Sequence, residues 1–132
     1  MKIIADTNVL LRSAVQDNAE QGRVAKRILE KAELVVVSRH ALCEFVWVLS
    51  RSYKFPQTEI VSAIHKLLDA RNVMVDKSAV AAGIKAMEDG ADFADGVIAY
   101  EGSWLGGEMF VSFDKRAVSL LAKQGQRTKL LA

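Results

Sequence analysis

Five short apolar runs, at 3–5, 34–37, 73–75, 109–113 and 129–131, alternate along the chain with longer segments of helical period. This alternation constrains the fold more than any other feature. Strands separated by helices cannot close as hairpins and are expected to pair mainly in parallel, with helices covering both faces of the sheet. The first and fourth runs end directly on a carboxylate, Asp6 and Asp114, and in open α/β sheets the carboxyl edge of the strands is where ligands bind.

The helical segments carry their own boundary signals. Asp17-Asn18-Ala19-Glu20 resembles a capping box opening a helix through Lys31, with Val24, Ala25, Ile28 and Leu29 on the predicted inner face. Ser38 is a suitable N-cap for a helix burying Leu42, Phe45, Val46 and Leu49. Pro56 can open a helix whose apolar stripe is Ile60, Ile64, Leu67 and Leu68. Gly90 reads as the stop between a helix over 78–89 and one running to about residue 104.

The 132 residues, with one proline and no Ser/Gly-rich stretch, suit one α/β domain spanning 1–132. Hydrophobic residues make up 51% and aromatic residues 7%, so the core must be aliphatic. A single cysteine, Cys43, forbids an internal disulfide and offers no zinc pattern; it reads as a small buried hydrophobe. The net charge of +2 argues against a strongly basic nucleic-acid-binding domain while leaving local clusters open. No segment has the length and apolarity of a membrane span or a signal peptide, and a soluble cytoplasmic protein is expected.

Two more acids lie inside predicted helices, and each of the candidates has a plain alternative role. Asp6, with Thr7 and Asn8, and Asp114, before Lys115 and Arg116, sit where helix caps belong. Glu44 lies opposite the Leu42–Leu49 face, on a stripe with His40, Trp47 and Arg51, where solvated side chains are usual, but the flanking Trp47 and Val48 argue against a wholly exposed face and equally suit one that meets a cleft or another chain. Asp92 and Asp95, spaced i, i+3, share one helix face, and Asp92 also suits a cap stabilised by the helix dipole. If the four acids Asp6, Glu44, Asp95 and Asp114 converge, their mutual repulsion calls for a divalent cation. His40 and His65 have no ligand spacing and receive no chemical role. Arg12, Arg39, Lys115 and Arg116 are candidate phosphate contacts of low specificity. Trp47, Tyr53, Phe55 and Trp104 are interface candidates whose commoner fate is burial in a core.

The ordered set Asp6-Thr7-Asn8, Glu44 within a helix, Asp92-Phe93-Ala94-Asp95 and Ser112-Phe113-Asp114 resembles the PIN-domain family, especially the VapC-like toxins of bacterial toxin-antitoxin pairs. The resemblance covers nearly the whole chain. It implies a five-stranded sheet of order 3-2-1-4-5, in which the first and fourth strands are neighbours. Chemically it implies an endoribonuclease dependent on Mg²⁺ or Mn²⁺. Asp6 and Asp95 match the principal metal ligands, and Glu44 and Asp114 match acids that hold further metal or orient its waters. Asp92 is a possible additional ligand, while Thr7, Asn8 and Ser112 match supporting hydrogen-bonding groups. The resemblance further implies an RNA substrate, an antitoxin protein as partner, and commonly a homodimer.

The same residues allow two other classes of function. A receiver-like signalling module would use Asp6, Asp76 and Lys115, but it leaves Glu44 and Asp95 without a role. A non-catalytic interaction domain would reduce the acids to caps and surface charge.

Overall fold

The β-branched runs form strands close to their predicted positions. In a computed structural model describing Met1–Ala132, β1 (Lys2–Ile4), β2 (Leu34–Val36) and β3 (Val73–Met74) pair in parallel in the order β1-β2-β3. Val35 lies opposite Ile3 on one side and Val73 on the other, and it is fully buried. These strands belong to the first of two compact units, Met1–Asp76 and Lys77–Ala132.

Four helices complete the first unit: α1 (Thr7–Ala14), α2 (Ala19–Lys31), α3 (Arg39–Arg51) and α4 (Gln57–Asp69). Ser38 caps α3 as expected, its side chain accepting the Ala41 N–H at 3.0 Å. The inner face of α3 buries Leu42, Phe45, Val46 and Leu49, and these pack into a core with Leu10, Ile60 and Ile64. Burying side chains of this size contributes roughly 1.5–3 kcal/mol each. Pro56 stands at the N-cap of α4, where its missing N–H costs no helix hydrogen bond. Leu67 and Leu68 are only half-buried.

Helix α2 departs from the expected face. Its cap is Asn18, which accepts from the Gln21 N–H at 3.0 Å, one residue later than the Asp17–Glu20 box suggested. Gly22 and Ala25 are buried, whereas Val24 and Ile28 are exposed. The cause is close helix packing: a Cβ on Gly22 would stand 3.2 Å from the Arg12 carbonyl oxygen of α1. Small residues therefore mark the contact line, and the larger aliphatic side chains flank it.

The second unit contains α5 (Lys77–Glu88), α6 (Phe93–Trp104), β4 (Phe110–Ser112), α7 (Lys115–Lys123) and β5 (Thr128–Leu130). Strands β4 and β5 pair in parallel, with Val111 opposite Lys129. Gly90 follows α5 at φ +101°, a left-handed position that closes the helix and that a side chain would strain. Helices α5 and α6 approach closely because Gly83 makes room for the Phe93 ring and Gly96 lies against Ala82 and Ala86.

The expected single sheet of order 3-2-1-4-5 is not formed. Its two parts are present as a three-stranded and a two-stranded sheet, and β1 does not pair with β4. β1 and β4 belong to different compact units, and each pairs with a strand of its own unit, β1 with β2 and β4 with β5. Ile4 on β1 remains 83% exposed and Val111 on β4 49% exposed.

One further expectation fails on burial, that of Cys43, and the aromatic residues left open between core and interface are placed. Cys43 is half-buried and not fully enclosed. Trp47 and Trp104 are 59% and 75% exposed and do not join the aliphatic core, while Tyr53 and Phe55 are half-buried in edge-on contact.

The α5–α6 contact gives a direct stability test. In Gly96→Ala, the added methyl meets the Ala82 carbonyl group in the helix backbone, which has no rotamer through which to yield. Urea unfolding is expected to show a loss of about 2 kcal/mol, the scale of overpacking a tight interior contact.

Candidate functional site

The turn from β1 into α1 positions Asp6 and Thr7. Asp6 is the N-cap residue of α1, with extended backbone, but its side chain makes no capping hydrogen bond and is exposed. The capping role that sequence alone allowed is therefore not what its carboxylate performs. Thr7 is the buried polar residue of the chain, and its Oγ1 donates to Glu44 Oε1 at 3.2 Å, joining α1 to α3. The same oxygen of Glu44 lies 3.1 Å from His40 Nε2, one helical turn earlier on α3. Asn8 is exposed beside them in sequence.

The second unit holds the other acids. At the start of α6 the Asp92 N–H donates to Asp95 Oδ2 at 3.1 Å, an arm of a capping box. Asp92 is exposed and Asp95 half-buried. Burial raises the Asp95 pKa above the ordinary aspartate value; the Asp92 N–H opposes that rise, and the negative charges of Asp92 and Asp114 add to it.

Asp114 caps α7 with one oxygen, Oδ1, which accepts the N–H groups of Arg116 and Ala117 at 2.9 and 3.2 Å. Its own N–H donates to Ser112 Oγ at 3.0 Å, so the hydroxyl at the end of β4 braces the turn. Here capping is real, yet it engages only one side of the carboxylate.

The donors at these positions are carboxylate and hydroxyl oxygens, the ligand chemistry that Mg²⁺ and Mn²⁺ prefer. The repulsion felt by Asp95 is of the kind a divalent cation relieves. The donor set thus fits such a cation in kind. Within neither unit do three or more histidine, cysteine or acidic side chains gather closely enough to hold a metal ion by themselves.

Of the basic residues considered for phosphate contact, Arg12 is already engaged. Its guanidinium donates to Gln21 at 2.7 Å, to Asp17 at 3.3 Å and to the Tyr53 hydroxyl at 3.4 Å, and Tyr53 itself donates to Asp17 at 2.9 Å. That network ties the α1–α2 turn to the end of α3. Arg39 pairs with Asp76 at 3.1 Å. Lys115 and Arg116 remain exposed at the start of α7.

Sequence reasoning gave His40 no role. The signal it could have used was the i, i+4 spacing to Glu44, which on a helix sets two side chains within reach.

Because the native state raises the Asp95 pKa, it binds that proton more tightly than the unfolded chain does. The favourable contribution is complete below the unfolded aspartate pKa and is lost as pH rises through the native one. Asp95→Asn removes the charge and keeps an oxygen able to accept from Asp92. In metal-free buffer at pH 7 the variant is expected to melt about 2 °C higher, a small gain because the side chain is only half-buried. The difference should shrink as pH is lowered towards 4, as thermal melts across that range will test.

The PIN domain family model matches residues 3–120 of the chain. Among solved structures, the VapC20 toxin of Mycobacterium tuberculosis, described as a sarcin-ricin loop cleaving toxin, is 22% identical, with 82% of this chain and 86% of that chain covered at a TM-score of 0.46. No curated protein matches the chain.

Proposed function

The chain belongs to the PIN-domain family, and from that premise we propose that it is a Mg²⁺- or Mn²⁺-dependent endoribonuclease, the toxin of a toxin-antitoxin pair. The family match carries this reading, because residues 3–120 include Asp6, Glu44, Asp92, Asp95 and Asp114. Membership also displaces the receiver-like alternative, whose proposed phosphoacceptor, Asp76, is paired with Arg39.

In this reading Asp6, Glu44, Asp95 and Asp114 are the acids that hold the cation, and Asp92 is first the cap of α6 and only secondarily a ligand. When bound, the cation neutralises charge on the phosphodiester and acidifies the attacking water. Asp6 brings an exposed carboxylate that no capping bond occupies. Thr7 restrains Glu44, and Ser112 braces the turn that presents Asp114. Asp95, whose burial and acidic neighbours oppose ionisation, has the most to gain from a positive charge beside it. No histidine base is needed for such chemistry.

Lys115 and Arg116, exposed next to Asp114, are the residues placed in sequence to meet the RNA backbone, which rewards local positive charge even at a net charge of +2. An antitoxin and a second copy of the chain are the protein partners of this reading. Exposed Trp47, Trp104 and Leu105 support it by offering large apolar side chains for burial in an interface. No helix is long and apolar enough to cross a membrane, and we place the toxin in the cytoplasm with its RNA.

The decisive experiment is cleavage of a panel of structured RNAs by purified protein with Mg²⁺, Mn²⁺ or EDTA. Metal-dependent cuts are expected for wild type and a loss of at least about 100-fold in Asp6→Asn and in Asp95→Asn, the scale on which metal-assisted charge stabilisation acts. Equal cleavage by all three proteins, or cleavage indifferent to EDTA, would remove the nuclease reading in favour of an interaction domain.

The charge reversal Arg116→Glu should weaken RNA binding about tenfold at low salt and flatten its salt dependence, while Arg12→Glu should act mainly by lowering thermal stability. Fluorescence anisotropy with labelled RNA at several salt concentrations, run beside thermal melts, distinguishes the two.

A further inference from the structure

We propose that the second unit carries an RNA-binding site apart from Asp92, Asp95 and Asp114, in which Tyr100 stacks against one unpaired base and Arg127 holds the adjoining phosphate. The proposal rests on the ribonuclease reading given above, and it adds where the strand is gripped.

Charge in this unit is divided along the chain. All seven of its acids lie within residues 77–114, whereas residues 115–132 carry five basic side chains, Lys115, Arg116, Lys123, Arg127 and Lys129, and no acid. All five are exposed and none forms an ion pair. Topology orders them in space. Because β4 and β5 are parallel, α7 has to carry the chain back from the carboxyl edge of β4 to the amino edge of β5. Lys115 and Arg116 thus stand at the edge that holds Asp114, and Lys123 and Arg127 at the far edge, roughly 10 Å along the strands at about 3.3 Å per residue. An RNA strand following α7 between the two edges meets basic side chains at both.

At the far edge lies a cavity of about 610 Å³ whose walls include Tyr100 and Ser103 of α6, Glu108 and Phe110 at the entry to β4, and Gln126 and Arg127 at the entry to β5. Its size falls within the roughly 300–1,000 Å³ of small-ligand sites. The half-buried Tyr100 ring leans on Trp104, with centroids 6.5 Å apart, and is restrained as a platform. The Arg127 carbonyl accepts the Phe110 N–H at 2.8 Å, so the backbone that carries the guanidinium is fixed at the cavity wall. Ser103 and Gln126 supply neutral donors and acceptors for a base edge, while Glu108 repels phosphate and leaves that role to Arg127. An aromatic face beside an unpaired cation suits single-stranded RNA, since every base has a face to stack and every nucleotide a phosphate. A duplex keeps its bases stacked inside and does not enter.

The test is fluorescence anisotropy of a labelled single-stranded RNA and of a blunt duplex of the same sequence, in EDTA so that neither is cut. Full-length wild type is compared with Tyr100→Ala, Tyr100→Phe, Arg127→Ala and Lys85→Ala, each checked for folding by circular dichroism. Tyr100→Ala is expected to weaken single-strand binding about tenfold, the scale of one lost stack, and to leave duplex binding and salt dependence unchanged. Tyr100→Phe keeps the ring and should bind as wild type does. Arg127→Ala should weaken binding about fivefold and reduce the slope of log affinity against log salt by about 0.7, the share of one phosphate contact on a single strand. Lys85→Ala, which removes an exposed charge from α5, should do neither. Arg127 is exposed, so its variant reads out the site even where Tyr100→Ala does not fold.

Wild-type affinity in both Tyr100→Ala and Arg127→Ala, or an equal loss in Lys85→Ala, overturns the site, and metal-dependent cleavage by the same wild-type preparation shows that the nuclease reading survives it. Unchanged RNA binding with an altered association state of Tyr100→Ala in light scattering assigns the cavity to a protein contact and overturns the RNA site as well. Wild type that neither binds nor cleaves RNA overturns both.

Discussion

A parallel strand cannot return directly to its neighbour, and this constraint governs where chemistry can be placed in the chain. Each of the first four strands therefore runs through a short turn into a helix: Asp6 follows β1, Ser38 follows β2, Asp76 follows β3, and Asp114 follows β4. Helix N-termini expose unpaired N–H groups and a partial positive charge, so oxygen-bearing side chains are favoured at all four turns. The same physics accommodates a cap and a ligand, and only geometry separates them. Ser38 is spent on the Ala41 N–H, and Asp114 gives one oxygen to α7. Asp6 gives its helix backbone bonds only.

Much of this was legible in the chain because short-range rules decide it. Alternation of apolar runs with helical period located all five strands, and single residues such as Ser38, Pro56 and Gly90 fixed helix ends through their own stereochemistry. What escaped depended on the neighbour and not on the element. The buried line of α2 pairs the expected Ala25 with Gly22 because α1 passes close there, while Val24 and Ile28, which hydrophobicity placed on the same face, are exposed. The single five-stranded order failed because each unit builds its own sheet, β1-β2-β3 in one and β4-β5 in the other, and strand periodicity does not say which strands pair. Residue type left the tryptophans open between core and interface, and Trp47 stands outside the core formed by Leu10, Val35, Phe45, Leu49 and Ile64.

The acids of the second unit were legible as residues but not as a balance of forces. Spacing set Asp92 and Asp95 on one helix face, and the structure adds that Asp95 is the more enclosed and that Asp114 adds to its electrostatic burden. Close packing is part of the cause. Gly96 follows Asp95 directly and lies against α5, so the turn of α6 that carries Asp95 is drawn towards a neighbouring helix and away from water. Desolvation is the largest contribution to the shift, and the single N–H of Asp92 only partly offsets it. A fold selected for stability alone would gain by replacing such a carboxylate with a neutral side chain.

Glu44 poses the opposite problem, since an exposed glutamate on a helix costs nothing and invites no explanation. Sequence left it on a polar stripe with His40, Trp47 and Arg51, and that stripe is indeed exposed within its unit. The distinction lies in Thr7. A buried hydroxyl has to find a partner, and this one bonds to a carboxylate 37 residues away on another helix. The bond links the turn after β1, where Asp6 stands, to the outer face of α3, so the orientation of Glu44 is coupled to that turn. Whatever fixes α1 at the carboxyl edge of β1 also fixes one oxygen of Glu44, and a side chain that periodicity left open between solvent and a cleft is tied to the same local framework as Asp6.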